Sequence, residues 1–172
     1  IIVEDLELPM ITCPANMSVS ATTGACNANV VVASAMTSDN CGVDMVVNDY
    51  NSTSDASDNY PVGTTAVMFT VTDIHGNSSS CSMDITVTDD EAPFLFCPSD
   101  IAMDSDAGEC GANVSIPSPP SSDNCGLASI FNDFNNGIDA SDLYPVGTTT
   151  VTFTAGDVNG NISTCDFDVT IT

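Results

Sequence analysis

The feature that most constrains this chain is an internal repeat. Its eight cysteines are Cys13, Cys26, Cys41 and Cys81, then Cys97, Cys110, Cys125 and Cys165, and each of the second four lies 84 residues after its counterpart. The register runs without a gap from Asp5–Thr88 onto Asp89–Thr172 and keeps 40 identical residues over 84 positions. Self-similarity at a fixed period means one folding unit used twice. The best-kept blocks are Ser38-Asp39-Asn40-Cys41-Gly42 with Ser122-Asp123-Asn124-Cys125-Gly126, and Tyr60-Pro61-Val62-Gly63-Thr64-Thr65 with Tyr144-Pro145-Val146-Gly147-Thr148-Thr149.

Within each repeat the apolar residues alternate. Val67, Phe69 and Val71 interleave with Met68, Thr70 and Thr72, and Val151, Phe153 and Ala155 interleave with Thr152 and Thr154. Met83, Ile85 and Val87 share one face of a closing strand, and Phe167, Val169 and Ile171 repeat it. A period of two marks half-buried strands of an antiparallel sheet. Earlier strands are expected near Met17–Val19, Ala28–Val32 and Met45–Val47. Turn residues separate them, including Asp73-Ile74-His75-Gly76-Asn77 and Asp157-Val158-Asn159-Gly160-Asn161. No helix-period stretch stands out. About seven short strands per repeat fit an immunoglobulin-like sandwich. The expected fold is therefore all-β, two tandem immunoglobulin-like β-sandwich modules with disulfides.

Charge narrows the functions. The chain has 24 acidic residues, no Lys or Arg and one His, a formal net charge of −24. Apart from His75, no side chain can pair with a carboxylate, so the acids must be hydrated, spread out or neutralised by metal ions. Phosphate neutralisation needs Lys and Arg, so nucleic acid is excluded as a partner, and anionic membranes are disfavoured for the same reason. No apolar run approaches the roughly 20 residues of a membrane helix. There is no Gly-rich phosphate loop, no GxSxG, no HExxH and no Cys–His pair free of structural duty, so no catalytic residue is expected.

The order Cys-Pro, Gly-x-Cys, Asp-Asn-Cys-Gly, Tyr-Pro-Val-Gly-Thr-Thr, Asp-x-x-Gly-Asn and a final Cys before an alternating strand resembles the HYR (hyalin repeat) domain, in both copies. The resemblance implies an extracellular immunoglobulin-like module, found in tandem, associated with adhesion and with matrix or cell-surface proteins. It implies no catalytic residues.

The repeat register sets the domains: 1–4 as the tail strand of a preceding repeat, 5–88 as the first module and 89–172 as the second. Ile1-Ile2-Val3-Glu4 aligns with Ile85-Thr86-Val87-Thr88, so the expectation is a window cut from a longer array. The alternative is a strand donated by Ile1–Val3 to a neighbouring subunit.

Four cysteines per repeat, in a chain that reads as extracellular, imply disulfides. Three pairings are possible within each repeat. In a seven-strand sandwich the start of the first strand and the second-to-third loop share a pole, which favours Cys13–Cys41 with Cys26–Cys81, and Cys97–Cys125 with Cys110–Cys165. A zinc site is disfavoured, since there is no CxxC and a single His.

The junction Thr88-Asp89-Asp90-Glu91-Ala92-Pro93 gathers three carboxylates. With Asp123, Asn124 and Asp157 expected at the same pole, Asp89, Asp90 and Glu91 would suit Ca²⁺, which takes 6–8 oxygens. The competing reading is a solvated acidic hinge. The upstream counterpart has Leu6 in place of Asp90 and is expected to be weaker. Asp55-Ala56-Ser57-Asp58 and its copy at 139–142 read as side-chain-held turns, Tyr60 and Tyr144 as corner-packing residues, and His75 as a turn residue without a metal role. Five acceptor sequons, at Asn16, Asn51, Asn77, Asn113 and Asn161, are candidate glycan sites. The expected function is a non-enzymatic, secreted or cell-surface structural repeat of a rod, stalk or fibril, partnered by neighbouring copies of itself. The alternative is a cell-surface adhesin module that binds a protein or glycan.

Overall fold

The computed structural model describes residues 4–172; the strand expected at Ile1–Val3 lies outside the described residues. The chain divides into two compact units, Ile1–Asp89 and Asp90–Thr172. Each is all-β with eight strands among the described residues. Among the described residues no helix is long and apolar enough to cross a membrane.

The first unit comprises β1 (Met10–Thr12), β2 (Met17–Ser20), β3 (Asn27–Val30), β4 (Met36–Ser38), β5 (Val43–Asn48), β6 (Asp58–Pro61), β7 (Gly63–Asp73) and β8 (Ser78–Thr88). Its main sheet has the order β2-β8-β7-β5, accompanied by the pairs β3-β6 and β1-β4. The second unit repeats this with β9 (Phe94–Leu95), β10 (Ile101–Met103), β11 (Gly111–Val114), β12 (Ser121–Ser122), β13 (Leu127–Asn132), β14 (Asp142–Pro145), β15 (Gly147–Asp157) and β16 (Ile162–Ile171), in a sheet ordered β10-β16-β15-β13 with the pairs β11-β14 and β12-β9.

The alternation read from the sequence sets the core. Val67, Phe69 and Val71 from β7 and Met83, Ile85 and Val87 from β8 are buried, as are Val151, Phe153, Ala155, Phe167, Val169 and Ile171 in the second unit. Ala28, Val30 and Tyr60 close the first core from β3 and β6. Their intervening polar neighbours face out, as period two requires. One departure is the direction of the first long pairing: β2 lies parallel to β8, and β10 parallel to β16. Alternation marks a half-buried sheet in which antiparallel pairs predominate, and a parallel edge strand keeps the same alternation.

The disulfides differ from expectation. Cys13 bonds to Cys81 and Cys97 to Cys165, replacing the expected Cys13–Cys41, Cys26–Cys81, Cys97–Cys125 and Cys110–Cys165. The β1-β4 ribbon explains this. Met10 faces Ser38 and Thr12 faces Met36 in antiparallel register, so Cys13 leaves one end of the ribbon and Cys41 leaves the other. β9 and β12 separate Cys97 from Cys125 in the same way, since Leu95 faces Ser121 and Phe94 faces Ser122. Cys26 precedes β3, where its carbonyl accepts from Val62 N, far from the mid-sheet pair Phe69–Cys81. Cys41 and Cys110 are free and exposed.

Candidate cation-binding pole

Three segments converge where the chain enters the first unit: the strand-like approach at Asp5, the β4–β5 turn at Asp39–Gly42 and the β7–β8 turn at Asp73–Asn77. Each is built by a carboxylate that accepts backbone N–H groups. Asp39 Oδ1 accepts from Cys41 N and Gly42 N, both at 2.9 Å. Gly42 has φ +127°, a left-handed conformation that L side chains rarely adopt. Asp73 Oδ1 accepts from His75 N at 2.7 Å and Asn77 N at 2.9 Å, while its Oδ2 accepts from Asn77 Nδ2 at 2.7 Å. Asn77 Nδ2 also donates to Asp5 O at 3.1 Å and so ties the incoming chain to the turn.

Asp5, Asp39 and Asp73 each bring a carboxylate oxygen within 4.8 Å of the other two. Asp5 Oδ1 accepts from Glu7 N at 3.1 Å. Asp5 Oδ2 and Asp39 Oδ2 are buried without a hydrogen bond. His75 Nδ1 sits 3.3 Å from Asp5 Oδ2 and forms an ion pair with it when the ring is protonated.

The second repeat carries the same geometry. Asp123 Oδ1 accepts from Cys125 N and Gly126 N, both at 2.8 Å. Asp157 Oδ1 accepts from Asn159 N at 2.8 Å, Gly160 N at 2.6 Å and Asn161 N at 2.8 Å. Asp123 Oδ2 is buried without a hydrogen bond.

These bonds set the protonation of the turns. Burial pushes the Asp73 carboxyl up, but the Asn77 side chain and the amides of Asn77, His75 and Gly76 outweigh it and hold the group below its ordinary 3.8. Asp157 is held low by the matching donors of Asn161, Asn159 and Gly160 against the same burial. Asp5 is also lowered, chiefly by the amide of Glu7. Hydrogen bonds to the ionised form favour it, so these carboxylates stay charged well into acid.

Of the residues expected at this pole, Asp123 and Asp157 build the two turns of the second unit. Asp89 is buried, and Asp90 and Glu91 are exposed. Asn124 directs its Nδ2 toward Cys125 Sγ at 3.7 Å. Leu6, which stands in place of Asp90 upstream, is exposed. The repeat register could have supplied Asp39 and Asp73, since they are Asp123 and Asp157 moved back by one period.

Among the sequons, Asn77 and Asn161 are half-buried turn residues whose amides bind Asp73 and Asp157. Asn51 is half-buried and bonded to Asp55 O at 3.0 Å. Asn16 and Asn113 are exposed. Sequence reading missed Asn48 and Asn132. Both are buried, and each organises the loop after its strand. Asn48 Oδ1 accepts from Tyr50 N and Asn51 N, both at 2.9 Å, and its Nδ2 donates to Thr53 O at 2.7 Å.

The HYR domain family matches residues 4–87 and again 88–171. The chain belongs to the HYR family. It is 32% identical over 169 residues to the rat "Sushi, von Willebrand factor type A, EGF and pentraxin domain-containing protein 1", covering 98% of this chain and 5% of that protein. It is 33% identical over 123 residues to hyalin of Strongylocentrotus purpuratus, covering 69% of this chain and 10% of hyalin. The chain thus spans a small part of these relatives' length. Similar solved structures include Drosophila N-cadherin EC1-4, with TM-score 0.44 and 15% identity over 96% of this chain and 50% of that one. Titin-A168169 has TM-score 0.44 and 14% identity over 95% of this chain and 98% of that one. The HYR assignment, with the disulfides, makes the chain an extracellular repeat module.

Proposed function

We propose that this HYR pair is a stretch of a secreted or cell-surface structural array, a non-enzymatic rod or fibril segment whose partners are further copies of the same repeat. The observation that supports this reading lies within each unit: the chain enters and leaves at opposite ends. Asp5 is fixed to the β7–β8 turn through Asn77. From that turn β8 runs 11 residues, about 35 Å, to Thr88, whose carbonyl accepts from Ala21 N at the far pole. In the second unit β16 runs away from the Asp157–Asn161 turn and ends where Ser105 N donates to Thr172 O. A module of this kind propagates a chain instead of returning it to its start.

An adhesive role would draw on a different feature. The second unit has an apolar groove of about 270 Å³ lined by residues including Phe96, Ile101, Ile116, Pro117 and Pro120. Its counterparts in the first repeat are Thr12, Met17, Val32, Ala33 and Met36, so the aromatic and proline residues of its wall are not kept in both copies. Features that both copies keep favour the array.

The test is the size of the native polypeptide in SDS after reduction and deglycosylation. The array reading expects a chain much larger than the 17.7 kDa of this sequence. A single species near that mass would overturn it.

A further inference from the structure

We propose that Asp5, Asp39 and Asp73 form a binding site for a hard divalent cation of the Ca²⁺ class. This goes beyond the array reading and does not depend on it.

The first reason is an electrostatic deficit. Three carboxylates approach within 4.8 Å of one another in a chain with no Lys or Arg, and the half-exposed His75 beside Asp5 brings at most one positive charge, when its ring is protonated. Like charges at that distance disfavour one another unless a counter-charge joins them. The hydrogen bonds already described hold Asp5 and Asp73 toward the ionised form, so protonation is not the relief.

The second reason is independent of clustering. The Asp5 side chain is 7% exposed, and its Oδ2 is buried without a hydrogen bond. Asp39 Oδ2 is in the same condition. Buried carboxylate oxygens are ordinarily satisfied. Here the Oδ1 atoms of Asp5 and Asp39 anchor the backbone and the Oδ2 atoms are left over, a division of labour that fixes ligands before the ion arrives. Asp123 repeats it, with Oδ1 on Cys125 N and Gly126 N and Oδ2 without a hydrogen bond.

The donor set selects the class of ion. An all-oxygen site of carboxylates suits Ca²⁺, which binds 6–8 oxygens at about 2.3–2.6 Å and completes its shell with carbonyls and water. A polar cavity of about 320 Å³ lined by Glu4, Asp5, Leu6, His75 and Asn77 opens beside the triad. It gives the ion access and room for its waters. A softer alternative exists at the same corner, because Asp5, Cys41 and His75 also bring ligand atoms within 4.8 Å. Those side chains would suit zinc, and His75 is Asn159 in the second repeat, so that set is not repeated.

The experiment is calorimetric titration of the chelator-treated two-repeat chain with CaCl₂, paired with its thermal unfolding. The expected result is saturable binding of at least one ion per chain and a higher unfolding midpoint at millimolar calcium, following from ligand binding to the folded form. Asp39→Asn keeps the Oδ1 acceptor for Cys41 and Gly42 and so preserves the turn. It should remove one ion or weaken one site at least tenfold. Circular dichroism of the variant establishes that it is folded, and if it does not fold it is replaced by Asp39→Ser, which keeps an acceptor oxygen. Absence of binding at millimolar calcium would overturn the proposal. So would calcium binding indifferent to the substitution, or, in a parallel titration with ZnCl₂, one zinc ion lost in His75→Asn and retained in Asp39→Asn.

Discussion

Tyr60 donates its hydroxyl hydrogen to the carbonyl of Ala56 at 2.6 Å, four residues upstream, with its ring fully buried. Tyr144 makes the same bond to Ala140 at 2.8 Å. Each ring also stacks, Tyr60 on Tyr50 at 4.3 Å and Tyr144 on Phe134 at 4.2 Å. The bond pins the loop ahead of β6 or β14 onto the core. Tyr60→Phe keeps the ring and leaves a buried carbonyl without its donor, so it should destabilise the first unit by about 1 kcal/mol. Urea unfolding of the variant checks this, and an unchanged midpoint would mean the hydroxyl contributes nothing.

The same tyrosines predict alkaline unfolding. Burial, with neighbouring Tyr50 and Asp58 adding to it, pushes the Tyr60 hydroxyl from 10.0 to about 12, and burial with Asp142 nearby does the same to Tyr144. Above pH 10 the unfolded chain releases these protons and the folded chain keeps them. Stability is therefore intact below pH 10 and falls as the pH rises toward 12. Circular dichroism across this range should show a loss of sheet signal that moves to higher pH in the Tyr60→Phe, Tyr144→Phe double variant, once its lower starting stability is subtracted.

Asn132 is the most heavily bonded polar side chain of the second core. Its Nδ2 donates to Gly137 O at 2.8 Å and Asp139 O at 2.9 Å, and its Oδ1 accepts from Phe134 N and Asn135 N at 3.0 Å. Asn132→Ala strands several buried groups together and should cost about 2–4 kcal/mol. Differential scanning calorimetry that detected no loss would show the loop to be held by other contacts.

Non-reduced peptide mapping should recover Cys13 linked to Cys81 and Cys97 linked to Cys165. Trypsin has no site in this chain, so cleavage must be at Asp or Glu. Each bridge closes a loop with a sequence separation of 68. By loop-closure entropy, the Cys13→Ser, Cys81→Ser variant should lose about 4 kcal/mol. Fragments linking Cys13 to Cys41 would contradict the register of β1 against β4.

Glycan occupancy should divide by what each amide already does. Asn77 uses its Nδ2 for both Asp73 Oδ2 and Asp5 O, and a glycosylated amide keeps one hydrogen. Asn161 is similarly bound to Asp157. Glycopeptide mass spectrometry of the native protein should find Asn16 occupied and Asn77 bare, with Asn113, whose Nδ2 donates to Asp106 Oδ2 at 3.1 Å, keeping one hydrogen for that bond if glycosylated. Glycan on Asn77 would show that the turn tolerates losing a donor.

The fold was readable where one physical rule acted alone. Alternation placed Val67, Phe69, Met83 and Ile85 inside, and the repeat register carried the same assignment to Val151, Phe153 and Phe167. Connectivity was not readable, because cysteine order is silent on which ribbon end each cysteine leaves. That depends on the pairing of Met10 with Ser38. Asp123 and Asp157 were legible as turn carboxylates from the repeated Asp-Asn and Asp-x-x-Gly-Asn motifs, and the period carries them back to Asp39 and Asp73. Asn48 and Asn132 carried no motif, since a single buried amide looks like any surface asparagine until its loop is folded around it.

The Cys13–Cys81 bridge also sets how a unit would respond to being pulled by its ends. Tension arriving at Asp5 travels to Cys13, crosses the two sulfurs to Cys81 and leaves along β8 to Thr88. The covalent path bypasses most of the sandwich. The 68 residues of separation between the two cysteines, roughly 230 Å if drawn out straight, stay locked behind the bond. The short stretches outside it yield only about 50 Å. The final half of β8, flanked by β7 and by the parallel β2, is then loaded in shear along its whole hydrogen-bonded length instead of being peeled one bond at a time. Oxidised, each unit is a nearly inextensible link; reduced, it is a long elastic reserve.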